Sequence, residues 1–339
     1  MIANVASNGA PVGITGVGAH VPERIVTNAD IEEMVETSDE WIVERTGIRE
    51  RRVVEPDEAA SDLAVPAARQ ALERAGARAE EIDLVVVATC MPDMYFPSSA
   101  AIVAQKLGTT NAAAYDLLAA CTGFVYGLAQ AYSAVNAGLA RKALVIGSET
   151  LSKLTNWRDR STCILFGDGA GAVVLERVPE GGFLGFELGS DGAGGNDLCV
   201  PGGGSRAPAS SAVVGNDLQF IRMNGAEIFR FATRIMVASA ESLLAECDAG
   251  VVDVDLYVPH QANKRIIDHA AKHLGLSPDK VFQNIDRYGN TSSASIPLCL
   301  AEAIEDGSLH GGVRLLMTGV GGGLTWGSAY MVWANGGTR

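Results

Sequence analysis

Short apolar runs alternate along the first half of the chain with longer stretches of helical periodicity. Asp83–Thr89 (DLVVVAT) is a continuous β-branched run, Ser98–Leu107 follows with helical patterning, and Ala143–Gly147 (ALVIG) is a second apolar run. Between them Phe124, Val125, Leu128, Tyr132 and Val135 recur at helical spacing, and Gly138 is placed to end that helix. Alternation of this kind predicts βαβ units and a parallel sheet covered on both faces.

The second half repeats the pattern. DLVVVAT resembles DVDLYVP (Asp253–Pro259), ALVIG resembles LLMTG (Leu315–Gly319), and AGAVVLE (Ala170–Glu176) resembles GSAYMVW (Gly327–Trp333), with a shorter offset for the last pair. A duplicated unit is therefore expected, its halves covering 12–180 and 181–339 and meeting near Val178–Gly182. The Gly-, Ser- and Pro-rich stretch Gly192–Ser211 reads as a long surface loop.

Composition narrows the class. A chain of 339 residues with 47% hydrophobic and 19% charged residues and 39 glycines has the profile of an α/β enzyme and enough apolar material for a large core. The net charge of −14 disfavours a general nucleic-acid role, so an acidic partner must meet a local basic patch. Met1 to Val12 lacks a basic segment followed by an apolar one, and no run of about 18 apolar residues occurs, so a soluble cytoplasmic protein is expected. Cys90, Cys121, Cys163, Cys199, Cys247 and Cys299 form no C-x-x-C pair, so neither a disulfide framework nor a zinc site is indicated.

Among these thiols Cys121 stands out. In Ala119-Ala120-Cys121-Thr122-Gly123-Phe124 it falls between an apolar run and the first turn of a helix, where free amides and the helix dipole favour a thiolate and then an oxyanion. A nucleophilic thiol needs a partner, and His260 in VPHQAN sits at the C-terminal edge of a predicted strand. His20 and His310 lie in turns, and His269 and His273 share a basic helix without a third ligand, which reads as a solvated face. Asn290, in the turn YGNTSS, supplies an amide donor that does not titrate, suited to an enolate oxygen when paired with a neutral histidine. The glycines of Gly319–Gly323 permit close backbone approach.

Together AACTGF around Cys121, VPHQANKRI around His260, YGNTSSASIP around Asn290 and the terminal GGGLTWGSA resemble the β-ketoacyl-acyl-carrier-protein synthase III family in order and spacing. The resemblance continues through Thr27–Arg52, Phe166–Glu176 and Met223–Ala232. It implies an α/β thiolase fold, two duplicated halves in a five-layer αβαβα arrangement, the first carrying the nucleophile and the second the His and Asn, in a homodimer. Cys121 would take the starter acyl group from coenzyme A, with its own N–H and that of Gly322 as an oxyanion hole. His260 and Asn290 would hold malonyl-acyl carrier protein and the enolate released by decarboxylation. The resemblance further assigns Thr37, Trp41, Arg45, Arg160 and Asn263 to coenzyme A, and Arg230, Arg265 and Lys272 to carrier-protein docking. No resident cofactor or metal is implied; the coenzyme A thioester is substrate.

The sequence departs from the family at Cys90–Pro97. There Met91, Met94 and Tyr95 replace small polar residues close to Phe96, which would reach the partner subunit's acyl pocket, so the starter's size stays open. Specialised polyketide or quinolone starter enzymes are the same-class alternative. From another class, Gly167–Ala172 approaches a dinucleotide fingerprint, but Val173-Val174-Leu175 continues as strand where the fingerprint requires a helix.

Overall fold

The computed structural model describes residues 1–4 and 9–334. Positions 5–8 of the N-terminal stretch and 335–339 of the second half lie outside the described residues.

Two five-stranded sheets lie face to face around a pair of central helices. The first runs in the order Val12–His20, Asp168–Arg177, Lys142–Thr150, Leu84–Ala88, Ala113–Leu117, and the second Ile2–Asn4, Gly182–Ser190, Thr325–Val332, Arg314–Gly321, Leu256–Pro259. Reading past the added Ile2–Asn4, the second order repeats the first strand for strand. Only a bridge between Tyr257 and Val281 stands where the first sheet has its outer strand Ala113–Leu117.

The sheets are mixed rather than parallel. Leu84–Ala88 pairs in parallel with Ala113–Leu117 and Lys142–Thr150, and Leu256–Pro259 with Arg314–Gly321, while the remaining ladders are antiparallel. Connection length decides this: strands joined through a helix run parallel, whereas Arg314–Gly321 and Thr325–Val332 are joined by a turn too short for a crossover. The uniformly apolar run Leu84–Ala88 is buried throughout, as a strand covered on both faces requires.

Helices Gly123–Asn136 and Ser295–Glu305 fill the space between the sheets. Phe124, Val125, Leu128, Tyr132 and Val135 of the first and Ile296, Cys299 and Leu300 of the second join one core with strands of both sheets. Ala60–Ala75 and Ser99–Leu107 cover the outer face of the first sheet, and Gly225–Glu246 with Lys264–Leu274 covers that of the second. The result is the five-layer αβαβα order. Gly138 follows the first central helix at φ 76°, a conformation glycine adopts without a Cβ penalty.

Gly192–Ser211 is irregular for most of its length, yet Leu198–Cys199 pairs with Arg222–Met223. Among the described residues no helix is long and apolar enough to cross a membrane. Gly167–Ala172 lies at the head of the strand Asp168–Arg177, so the dinucleotide fingerprint lacks its helix.

Candidate active site

A cavity of about 530 Å³ opens between the two halves, with Cys121, His260 and Asn290 on its wall together with Gly321, Trp41, Arg45, Asn263, Arg230 and Arg265. Three chain segments far apart in sequence meet there because both central helices begin at this point.

Cys121 sits in a single 3-10 turn, Ala120–Thr122, that hands the chain to helix Gly123–Asn136. Ala120 holds φ 47°, a left-handed conformation costly for a residue with a Cβ, of order 1 kcal/mol or more. The turn is pinned from the second half: Thr325 Oγ1 donates to Ala119 O at 3.1 Å, and Thr122 Oγ1 lies 2.6 Å from Thr325 Oγ1. A Cβ on Gly321 would lie 2.7 Å from the Cys121 nitrogen, so glycine is required for the strand to pass this close.

The sequence expectation of a depressed thiol pKa fails. Burial pushes Cys121 up to about 12, and hydrogen bonds from the Ser292 hydroxyl and from its own backbone offset only part of this, with the Glu149 carboxylate adding to the rise. Burial therefore favours the thiol form of Cys121, and among the described residues no cation contributes to the shift.

His260 follows directly on strand Leu256–Pro259, and its N–H donates to Thr318 O at 2.7 Å. The ring is buried, with Nδ1 2.7 Å from Ser295 Oγ. Desolvation lowers its pKa to about 3, so the imidazole is neutral through the physiological range. Asn290 is tied to the first half by its N–H to Leu165 O at 2.8 Å and by Gly167 N–H to its own carbonyl at 3.0 Å. Its Oδ1 accepts the Ser292 N–H at 2.8 Å, which fixes the amide and turns Nδ2, a pure donor, to the cavity. A neutral imidazole, a fixed amide and a thiol therefore share one wall of largely buried residues.

At the mouth, helix Asp39–Thr46 carries Trp41 and Arg45, capped by Ser38 and ended by Gly47 at φ 80°. The Arg160 guanidinium lies 4.1 Å from the Trp41 ring centre and that of Arg45 5.8 Å. Asn263 caps helix Lys264–Leu274: Oδ1 accepts Arg265 N–H at 2.9 Å, and Nδ2 donates to Arg45 O at 3.0 Å. Thr37 is off the cavity wall, and its buried hydroxyl has no partner among the described residues. Arg230 pairs with Glu227, and Arg265 lies 5.1 Å over the Phe229 ring. Lys272 is two helical turns beyond Arg265 on the same face, exposed and away from the cavity.

Gly322 follows the strand that carries Gly321, with Leu198 O 2.9 Å from where its Cβ would be. Met91, Met94, Tyr95 and Phe96 do not line this chain's cavity. Their loop is anchored at its base, where Cys90 N–H donates to Glu149 and Asp93 bonds Ser61 and Ser99, while Tyr95 and Phe96 are 78% and 84% exposed.

Sequence reasoning missed the polar bed beneath these residues. Glu149 is fully buried, with Oε2 accepting Cys90 N–H at 2.9 Å and Oε1 accepting the Ser293 hydroxyl at 2.8 Å; burial raises its pKa. Ser292, Ser293 and Ser295 are buried as well. The signal was present in the serine-rich run after Asn290 and in an acid ending an apolar strand.

Comparison with known proteins agrees with this geometry. Profiles of 3-oxoacyl-acyl-carrier-protein synthase III match residues 115–192 and, for its C-terminal part, 244–333. The β-ketoacyl-acyl-carrier-protein synthase III of Desulfitobacterium hafniense is 54% identical over 324 residues, 95% of this chain and 98% of the relative. Crystal structures of the synthase III from Thermus thermophilus and Aquifex aeolicus superpose with TM-scores of 0.88 each, at 47% and 42% identity, covering 95% of this chain and 99% and 100% of theirs. These relatives favour the initiating condensation over the specialised polyketide or quinolone alternative. With its five layers in the thiolase fold and its matches running nearly end to end, the chain belongs to the 3-oxoacyl-acyl-carrier-protein synthase III family of condensing acyltransferases.

Proposed function

We propose that this chain performs the first condensation of fatty acid synthesis, joining an acyl group from coenzyme A to malonyl-acyl carrier protein with Cys121, His260 and Asn290 as its catalytic residues. The observation that carries the assignment is their convergence on one buried cavity wall, the imidazole neutral and the amide held with its donor outward.

The cycle is ping-pong. Cys121 Sγ attacks the acyl thioester, its proton passes to the departing coenzyme A sulfur, and the N–H groups of Cys121 and Gly322 hold the oxyanion. Coenzyme A leaves and malonyl-acyl carrier protein enters. Its thioester oxygen accepts from His260 Nε2 and Asn290 Nδ2 as carbon dioxide departs. The resulting enolate carbon attacks the acyl carbonyl, the bond to Cys121 breaks, and 3-oxoacyl-acyl carrier protein is released. Two neutral donors suit this step, because a charged imidazolium would hold the enolate too firmly to let it react.

Trp41 and Arg160 take the adenine between them, which requires their existing stack to open. Arg45 and Asn263 line the path inward, with both ends of the Asn263 amide engaged in shaping the mouth, and Thr37, off the cavity wall, joins them by turning its buried hydroxyl, unpartnered among the described residues, toward the ligand. Arg230, Arg265 and Lys272 form the basic patch for the acidic carrier protein. The working unit is a cytoplasmic homodimer of two-half chains, 12–180 and 181–339; the exposed apolar tip Met94-Tyr95-Phe96 supports a partner's covering it, with Met91 behind, as a wall of the acyl pocket. Intact-mass measurement after incubation with acyl-coenzyme A donors of increasing length tests the reading. An adduct that disappears in Cys121→Ala is expected and names the starter; no adduct with any donor overturns it.

A further inference from the structure

We propose that Ser295 is a positioning residue whose hydroxyl donates to His260 Nδ1 and thereby holds the proton of the neutral imidazole on Nε2, facing the cavity. The inference rests on the condensing role proposed for His260.

The hydroxyl has three neighbours and one proton. Ser295 Oγ lies 2.7 Å from His260 Nδ1, 2.9 Å from Ser292 O, and 3.3 Å from Gln261 N–H, which donates to it. Ser292 O already accepts the backbone N–H of Ser295, so it is satisfied without the hydroxyl. Among the described residues Nδ1 has no other partner, and all of these atoms belong to buried residues, where an unmet acceptor costs roughly 1–3 kcal/mol. With Ser292 O already served by a backbone donor, the hydroxyl proton is free to follow the shorter contact to Nδ1. An imidazole that accepts at Nδ1 and is neutral must carry its hydrogen on Nε2.

The opposite assignment, hydroxyl to Ser292 O and Nδ1–H to Ser295, would leave a bare lone pair on Nε2. That atom would then repel a thioester oxygen beside the Asn290 Nδ2 donor. Ser295 thus decides whether the wall offers two donors or a donor and an acceptor. Its place is fixed by its being the first residue of the central helix Ser295–Glu305, whose backbone cannot shift without disturbing the core between the sheets.

Nitrogen-15 NMR of histidine-labelled full-length protein, with the His260 signals assigned by their loss in His260→Gln, reads the tautomer without turnover. The expected spectrum has a protonated Nε2 and an unprotonated, hydrogen-bonded Nδ1; a protonated Nδ1 in the wild type overturns the proposal. In Ser295→Ala, carbon dioxide release from malonyl-acyl carrier protein should fall about 10–100-fold, while acyl transfer to Cys121 stays within a few fold. Ser295→Thr should restore most of the loss. Release at the wild-type rate in Ser295→Ala overturns the proposal, as does an equal loss in both half-reactions. Failure of the wild type to form acyl-Cys121 would instead sink the wider functional reading, and the tautomer would still be decided by the spectrum.

Discussion

Two elbows meet at the centre of the molecule, one from each half, and they are built alike. Ala120 at φ 47° opens the 3-10 turn before helix Gly123–Asn136, and Ser292 at φ 49° opens the turn before helix Ser295–Glu305. The residue after each is Cys121 in one and Ser293 in the other. What differs is the strand end facing them. Gly321 lies against Cys121, whereas Glu149 lies against Ser293 and accepts its hydroxyl. Cys121–Ser293 and Glu149–Gly321 share the sequence offset that separates Gly147 from Gly319, so these are corresponding places in a duplicated fold. One elbow has an absent side chain opposite it and opens on a cavity; the other has a carboxyl group that fills the space and accepts from the Ser293 hydroxyl and the Cys90 N–H. The same backbone device makes a reactive centre or a structural clamp according to one facing residue.

The comparison is broken most directly by closing the open elbow. Gly321→Ala places a methyl group 2.7 Å from the Cys121 nitrogen, and formation of acyl-Cys121, followed by mass, should slow about 100-fold or more with the fold intact. Acylation at the wild-type rate would mean that the approach of Gly321 is incidental. Removing the clamp acts on stability instead. Glu149→Ala leaves a cavity and removes the acceptor of the Cys90 N–H, while the Ser293 hydroxyl keeps Ala88 O at 2.8 Å, and urea denaturation should show a loss of about 3 kcal/mol, with Glu149→Gln losing less.

The dryness of the open elbow has its own signature in pH. His260 has a folded pKa of about 3 against an ordinary 6.5, so below pH 6.5 the unfolded chain binds a proton that the folded chain refuses. Stability therefore falls as pH drops from 6.5 towards 3, by about 2 kcal/mol at pH 5 from this group, and His260→Gln should remove that share of the slope. A wild-type and variant pair with parallel urea midpoints at pH 7 and pH 5 would show that water reaches the ring. The smallest effect is expected outside the elbows: Lys272→Ala should raise KM for malonyl-acyl carrier protein about two- to three-fold, and lessen its salt dependence, without changing acylation by acyl-coenzyme A.

The three residues of the proposed catalytic set were legible in sequence because each sits where a local signal changes: Cys121 between strand-like run and helix, His260 at a strand's end, Asn290 in a turn. The apolar spacing of Phe124, Val125, Leu128, Tyr132 and Val135 located the central helix for the same reason, since periodicity records which side is buried. The direction of the antiparallel strands was not legible, because a strand's apolar run reports burial on its faces and not the heading of its neighbour. Nor was the pairing of Leu198–Cys199 with Arg222–Met223, which gives structure to a stretch whose composition reads as loop.

Sequence alone thus determined the family, the layered α/β fold and the side chains proposed to react, for these follow from periodicity and from short motifs whose spacing survives any detail of packing. Tertiary structure decided their chemical state. Burial favours the thiol over the thiolate at Cys121, keeps His260 neutral and makes Ser295 its neighbour, because the return of distant segments sets desolvation and hydrogen-bond partners, and neither quantity is written in the order of residues along the chain.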